Sequence, residues 1–182
     1  GLVDPSRVSA VGGSHGGFLT AHLLGQHPDR FRCGVVRNPV TNLSLMVGLS
    51  DIPDWCFVEA LGSEEGRRRA SPLPSPADLA ALFAASPAAH AHAVTAPLCM
   101  MLGARDRRVP PPDGLQFLAA VRSREEGQAG APPTRLIVFP EDSHGLDKPQ
   151  TEFENWINIA WWLKMYGGAE GGGSTAAGEE EG

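Results

Sequence analysis

The stretch "VSAVGGSHGGFLTAHLLG" (residues 8–25) places Ser14 and His15 between two glycine pairs, Gly12-Gly13 and Gly16-Gly17. Glycine costs backbone entropy in strands and in helices, so the pairs serve a geometry that side chains would obstruct. Upstream, residues 8–12 are a short apolar run bounded by "DPSR" and the glycines, which predicts a buried strand. Downstream, residues 15–26 carry Phe18, Leu19, Leu23 and Leu24 at helical spacing, and "HPDR" ends that helix. The glycines therefore mark a corner where a strand turns directly into a helix.

The same alternation continues along the chain. "RCGVVRNPV" (residues 32–40) predicts a second strand, closed by Pro39. A long excursion over residues 41–97 follows. It holds "SDIPDWC", an irregular Gly/Glu/Arg/Pro stretch at 62–76, and one short helix at 77–85. Within it, Arg67, Arg68 and Arg69 read as a solvated loop. "PLCMMLG" (97–103) predicts a third strand, and residues 114–124 a helix with Leu115, Leu118, Ala119 and Arg122 three or four apart. After the loop "EEGQAGAPP", "TRLIVFP" (134–140) predicts a fourth strand. Residues 153–166 predict a last helix with Phe153, Ile157, Ala160 and Trp161 on one face and Gly167 as its cap. Strands alternating with helices predict an α/β fold with a mostly parallel sheet covered on both faces.

Composition narrows the function classes. The chain has 182 residues, 42% hydrophobic and 20% charged, which suits one globular domain. Its ordered part is expected over 1–167. The end, "GAEGGGSTAAGEEEG" (168–182), reads as a disordered Gly/Glu-rich tail, because such a mixture buries too little apolar surface to fold. Without the tail's four glutamates the net charge of −6 becomes −2. A near-neutral body argues against nucleic acid as a partner. No apolar run reaches membrane-spanning length, and the opening residues do not read as a signal peptide, so neither a membrane span nor a leader is expected. Cys33, Cys56 and Cys99 lack a C-x-x-C pair and read as free, buried thiols in a reducing compartment. His90 and His92 have no Cys, Asp or Glu close by, so neither a metal nor another cofactor is expected. "GLVDPSRVSAV" reads as a turn feeding a strand, so the chain is expected to start inside a domain.

Gly12-Gly13-Ser14-His15-Gly16 fits G-x-S-x-G between a strand and a helix, the setting of a nucleophile elbow. In that turn, side chains two residues either side of the serine are expected to clash, which accounts for Gly12 and Gly16. Gly17 gives room for close helix packing. The backbone N–H of His15 becomes an oxyanion donor, and its side chain reads as structural or substrate-facing. A serine hydroxyl needs a base, and the base needs a carboxylate to orient it. On such a sheet the chain order is Ser, then Asp or Glu, then His, each on a loop after a strand. Asp106 lies just past the third strand in "GARDRRVP". His144 lies past the fourth in "EDSHGL". Glu141 and Asp142 sit too close to His144 in sequence to orient it. The predicted catalytic set is Ser14, Asp106 and His144 on an α/β-hydrolase sheet.

"GGSHGGF", "RNPVTN", "SDIPDWC", "PLCMMLGARDRRVP" and "FPEDSHGL" together resemble the acylaminoacyl-peptidases (acylpeptide hydrolases) of the prolyl oligopeptidase family. The resemblance runs from about residue 4 to 166. It implies a cytoplasmic serine hydrolase that releases an N-acylated amino acid from the end of short acylated peptides. It also implies a homo-oligomer when full length. By motif, Ser14 is the implied nucleophile, Asp106 the orienting acid and His144 the base. Trp55 and Phe57, near "DIPDWC", are candidates to line the substrate pocket. Full-length members carry an N-terminal β-propeller, earlier hydrolase strands and a His-Gly-Gly loop that supplies a second oxyanion donor; none of these is found here. The expectation is therefore the C-terminal half of the sheet, with the nucleophile strand as an open edge and weakened activity, since one lost oxyanion donor costs ~10²–10³ in rate. An esterase, a dipeptidyl peptidase, or an inactive fragment acting only by association are the competing readings.

Overall fold

A computed structural model of the chain describes residues 2–123 and 130–168. The predicted loop at 125–133 and the end of the helix predicted to Arg124 lie partly outside those residues. So does the predicted tail, apart from Gly168. Four parallel strands form one sheet: β1 (Ala10–Gly13), β2 (Gly34–Arg37), β3 (Leu98–Gly103) and β4 (Thr134–Phe139), in spatial order β1-β2-β3-β4. β1 is an edge, as expected, and Val11 on it is 45% exposed. β2 stops at Arg37 because Asn38 adopts φ 39° and Pro39 follows.

Side chains alternate across the pleat and sort into two cores. Val36, Leu98, Met100 and Leu102 pack on one face against Leu24 of α1 (His15–Gln26) and Phe117, Leu118 and Val121 of α6 (Pro111–Arg122). Val35, Cys99 and Met101 pack on the other against Ile159 and Trp162 of α7 (Pro149–Tyr166). Each fully buried Leu or Met contributes roughly 1.5–3 kcal/mol, so the wholly buried β3 anchors both layers.

The outer helices correct the sequence reading. Phe153, Ile157, Ala160 and Trp161 face outward on α7, with Phe153 62% exposed, while Thr151, Asn155, Ile159 and Trp162 are buried. Both faces of this helix are apolar, so periodicity alone does not choose between them. Polar anchors decide it: Asn155 Nδ2 donates to the Leu146 carbonyl at 3.3 Å, and Trp162 Nε1 to that of Pro97 at 3.4 Å. Leu19 and Leu23 of α1 and Leu115 of α6 are likewise exposed. α6 begins at Pro111, where proline suits the first helical position.

The excursion is ordered almost throughout. It holds α2 (Leu43–Met46), α3 (Pro53–Leu61), α4 (Ser63–Arg69), α5 (Pro76–Ala84) and a 3₁₀ helix at Pro87–Ala93. The stretch read as irregular contains α4, "SEEGRRR". Glu64 and Glu65 lie in its first turn and Arg67, Arg68 and Arg69 in its last, matching the helix dipole. Gly66 has a physical reason: a Cβ there would sit 2.5 Å from the Phe57 carbonyl oxygen. Ser75 and Asp78 form a capping box on α5, and Arg69 reaches Asp78 with Nε at 3.0 Å. Beneath these helices Phe18, Val40, Leu43, Met46, Cys56, Phe57, Leu82 and Val109 form a third core.

Asp113, fully buried in the first turn of α6, ties that core to the sheet. Its carboxylate accepts the backbone N–H of Thr41 at 2.6 Å and of Asn42 at 2.8 Å. Burial nevertheless outweighs those bonds and pushes its pKa from 3.8 to about 7. Between those values the folded chain holds a proton that the unfolded chain has released. Raising pH through that window therefore costs stability, at up to about 1.4 kcal/mol per pH unit. Urea midpoints for the wild type and Asp113→Asn, measured from pH 4.5 to 7.5, are expected to show the wild type losing stability relative to the variant as pH rises. A pH-independent difference would refute this.

Candidate active site

The corner between β1 and α1 is built as the glycines suggest, with one exception. Ser14 occupies φ 55°, ψ −121°, a strained conformation for a residue with a side chain. A Cβ on Gly12 would lie 2.1 Å from the Gly16 carbonyl oxygen, and one on Gly17 would lie 2.7 Å from Pro39 Cβ. Gly16 itself has open space where its Cβ would be, so no clash within the described residues forces glycine there. Gly13 is tight against Arg37, with a Cβ 3.3 Å from the guanidinium. His15 is the first residue of α1, so its N–H has no partner in the helix ladder and faces the serine end.

The three residues predicted to act together meet. His144 Nε2 lies 2.9 Å from Ser14 Oγ, and His144 Nδ1 lies 2.7 Å from Asp106 Oδ2. Asp106 follows β3 and its side chain is fully buried; the His144 side chain is 30% exposed. The other Asp106 oxygen, Oδ1, accepts the backbone N–H of Arg108 at 2.8 Å and of Val109 at 2.9 Å. A carboxylate only accepts, so the neutral imidazole carries its proton on Nδ1. Nε2 is then free to accept from the serine hydroxyl. Glu141 does not compete for His144: it is exposed and pairs with Arg105. Asp142 is buried, and its Oδ1 accepts from the Ser143 N–H.

Beside Ser14 and His144 lies a cleft of about 130 Å³ lined by Val40, Met46, Ile52, Trp55 and Val109, together with His15 and Arg108. Trp55 is where the sequence suggested. Phe57 is not: it is fully buried in the core under the excursion, because the α3 turn that presents Trp55 to the cleft carries Phe57 inward. The sequence reading missed Val40, Met46, Ile52 and Val109. Val40 and Val109 stand inside the quoted segments "RNPV" and "RRVP", so those segments held a usable signal. The His15 ring stacks on Phe18 at 5.6 Å and meets Glu59 with Nε2 at 3.1 Å. It is a wall side chain and does not touch the Ser14 hydroxyl. Arg108 pairs with Asp51, Nε to Oδ1 at 2.6 Å.

Cys33, Cys56 and Cys99 are free and buried, and burial pushes the thiols of Cys56 and Cys99 up to about 12 and about 11. Among the described residues no group of three His, Cys, Asp or Glu side chains could hold a metal ion. No described helix is long and apolar enough to cross a membrane.

A parallel sheet with a strained serine at a strand–helix corner, and an Asp and a His on loops after later strands, defines an α/β-hydrolase. The sequence profile described as the Prolyl oligopeptidase family matches residues 1–169. The chain belongs to that family. It is 50% identical over 166 residues to acylamino-acid-releasing enzyme 2 of Oryza sativa subsp. japonica, and 39% identical over 167 residues to the acylamino-acid-releasing enzyme of Homo sapiens. Each match covers 91% of this chain and 21% of the relative. The chain thus spans about a fifth of the length of these relatives. Among solved structures, acylaminoacyl peptidase of Pyrococcus horikoshii superposes with a TM-score of 0.72 at 22% identity, covering 90% of this chain and 24% of that one.

Proposed function

We propose that this chain carries the nucleophile, acid and base of a serine hydrolase that removes an N-acylated amino acid from the end of short acylated peptides. The observation that carries this is the continuous relay from Ser14 Oγ through His144 to Asp106, at 2.9 Å and 2.7 Å. In the reaction Ser14 Oγ bonds to the carbonyl carbon of the acylated residue, while His144 Nε2 takes the hydroxyl proton. The C–N bond then breaks, and His144 returns the proton to the leaving amine. Water, deprotonated by His144, hydrolyses the acyl-enzyme. Asp106 holds the imidazole, and the His15 N–H donates to the oxyanion. The apolar cleft suits an uncharged side chain on the acylated residue. The names of the relatives support the acyl-amino-acid preference over a dipeptidyl or simple ester one.

Fluorophosphonate labelling of the chain, beside Ser14→Ala and His144→Ala, tests the chemistry. Acetyl-alanyl, free-amine dipeptidyl and acetate ester substrates then test the class. Labelling confined to wild type and preference for the acetylated substrate are the expected results. Labelling with equal turnover of all three would sink the acyl-amino-acid assignment and leave a general hydrolase. The second reading, association without turnover, draws on the open β1 edge and the exposed Val11, Leu19 and Leu23. It predicts concentration-dependent self-association and no labelling.

A further inference from the structure

"RNPV" supplies more than a strand end. We propose that Asn38 is a positioning residue whose carboxamide sets the spacing between the loop carrying Asp106 and the loop carrying His144. The inference rests on the function proposed above.

Asn38 is 2% exposed and its carboxamide is fully engaged. Its Oδ1 accepts the Gly103 N–H at 2.8 Å; its Nδ2 donates to the carbonyls of Ser143 at 3.2 Å and His144 at 2.9 Å. Gly103 ends β3, and its own carbonyl accepts the Asp106 N–H at 3.1 Å. One side chain at the end of β2 therefore grips the turn that holds the acid and the backbone of the base.

A side chain at Gly103 could not set this spacing. A Cβ there would lie 2.4 Å from the Ser143 carbonyl oxygen and 2.8 Å from that of Asp142, so the two loops meet backbone to backbone. Other ties between the loops are the bond from the Arg105 N–H to the Asp142 carbonyl at 2.9 Å and the exposed Arg105–Glu141 pair. The demand on the His144 loop is large. It follows β4, at one edge of the sheet, and must deliver the imidazole to Ser14, which follows β1 at the other. Neighbouring strands lie about 4.8 Å apart, so the loop has to lean back across β3 and β2. Asn38 catches it where β2 ends. The residue before it, Arg37, accepts the Ser14 N–H at 2.9 Å, so this short segment touches the backbone that carries all three residues. The left-handed φ of 39° aims the amide back over the strand ends, and asparagine is among the few residues that adopt it readily.

A residue that merely ends β2 would change stability and leave reactivity alone. Two variants of the full chain separate the roles. Asn38→Asp keeps the shape and the Gly103 acceptor but, ionised, donates to neither carbonyl. Asn38→Gly keeps the backbone conformation and removes the amide. For folded samples, checked by circular dichroism, fluorophosphonate labelling gives kinact and KI. A downfield proton NMR signal reports the His144 Nδ1–H bonded to Asp106. The expected result in both variants is a fall in kinact of about 100-fold, the scale of an ångström-level misplacement, with KI unchanged and the proton signal lost. Wild-type kinact in either folded variant overturns the proposal, and if Asn38→Asp does not fold, Asn38→Gly decides alone. Should the wild type show the proton signal yet resist labelling, the proposed function fails and the signal alone decides the role of Asn38. Its loss in Asn38→Gly supports positioning; its retention overturns it. A wild type with neither signal nor labelling overturns both readings.

Discussion

Ser14→Ala is expected to lower acyl-peptide turnover and fluorophosphonate labelling by at least about 10⁴-fold while leaving the fold intact. The size follows from the proposed mechanism, in which the three residues act as a unit. Removing the nucleophile leaves only oxyanion donation and binding, a small remainder of the whole acceleration. The fold should survive because Ser14 contributes one hydroxyl, 2.9 Å from His144, and little apolar burial. Alanine also carries the same Cβ as serine, so the strained backbone at φ 55° is no worse. Unfolding free energies from urea titrations should accordingly match within about 1 kcal/mol, or rise slightly, since a site residue is held at a cost to stability. Turnover that persists in Ser14→Ala would remove the nucleophile from the proposed mechanism. Asp106→Asn should approach the same loss by a different route: its carboxamide can present an N–H to Nδ1, which turns the imidazole to the wrong tautomer.

Gly12→Ala is expected to destabilise the chain by about 3 kcal/mol, at the upper end for an overpacked site. The new methyl would stand 2.1 Å from the Gly16 carbonyl oxygen, 2.3 Å from its carbon and 2.7 Å from Thr20 Oγ1. The first two are backbone atoms of the first turn of α1 and cannot rotate away, so relief requires the helix to move off the strand. Gly16→Ala provides the control within the same motif. Its methyl meets nothing within 4 Å, and exchanging glycine for alanine in a helix gains about 0.5–1 kcal/mol. Paired urea titrations should therefore shift in opposite directions. Equal shifts would show that the two glycines of the elbow are not held differently.

Much of this site is legible in the sequence, because its determinants are local. The strand–Gly-x-Ser-x-Gly–helix corner, the loop position of Asp106 after "PLCMMLG" and that of His144 after "TRLIVFP" each follow from a few adjacent residues. What escaped depends on partners distant in sequence. The charges of α4 suit the helix dipole, and Gly66 lets it pack against the Phe57 carbonyl, a contact that a Gly/Glu/Arg run does not reveal by itself. α7 has two apolar faces, and the choice between them is made by Leu146 and Pro97 carbonyls that sequence periodicity cannot see. Phe57 and Trp55 are two residues apart, and only the orientation of α3 assigns one to the core and the other to the cleft.

The strand order β1-β2-β3-β4 has a kinetic corollary. The bond from His144 to Ser14 joins residues 130 positions apart and links the loops that follow the first and last strands of the sheet. Contacts of such long range form only after the intervening chain has lost its freedom, and parallel pairing lengthens that search. Serine reactivity in this chain should therefore emerge at the end of refolding, after helical circular dichroism has recovered. A labelling reagent then acts as a stopwatch for sheet closure: the lag between helix signal and first reactivity measures how long the fourth strand takes to arrive.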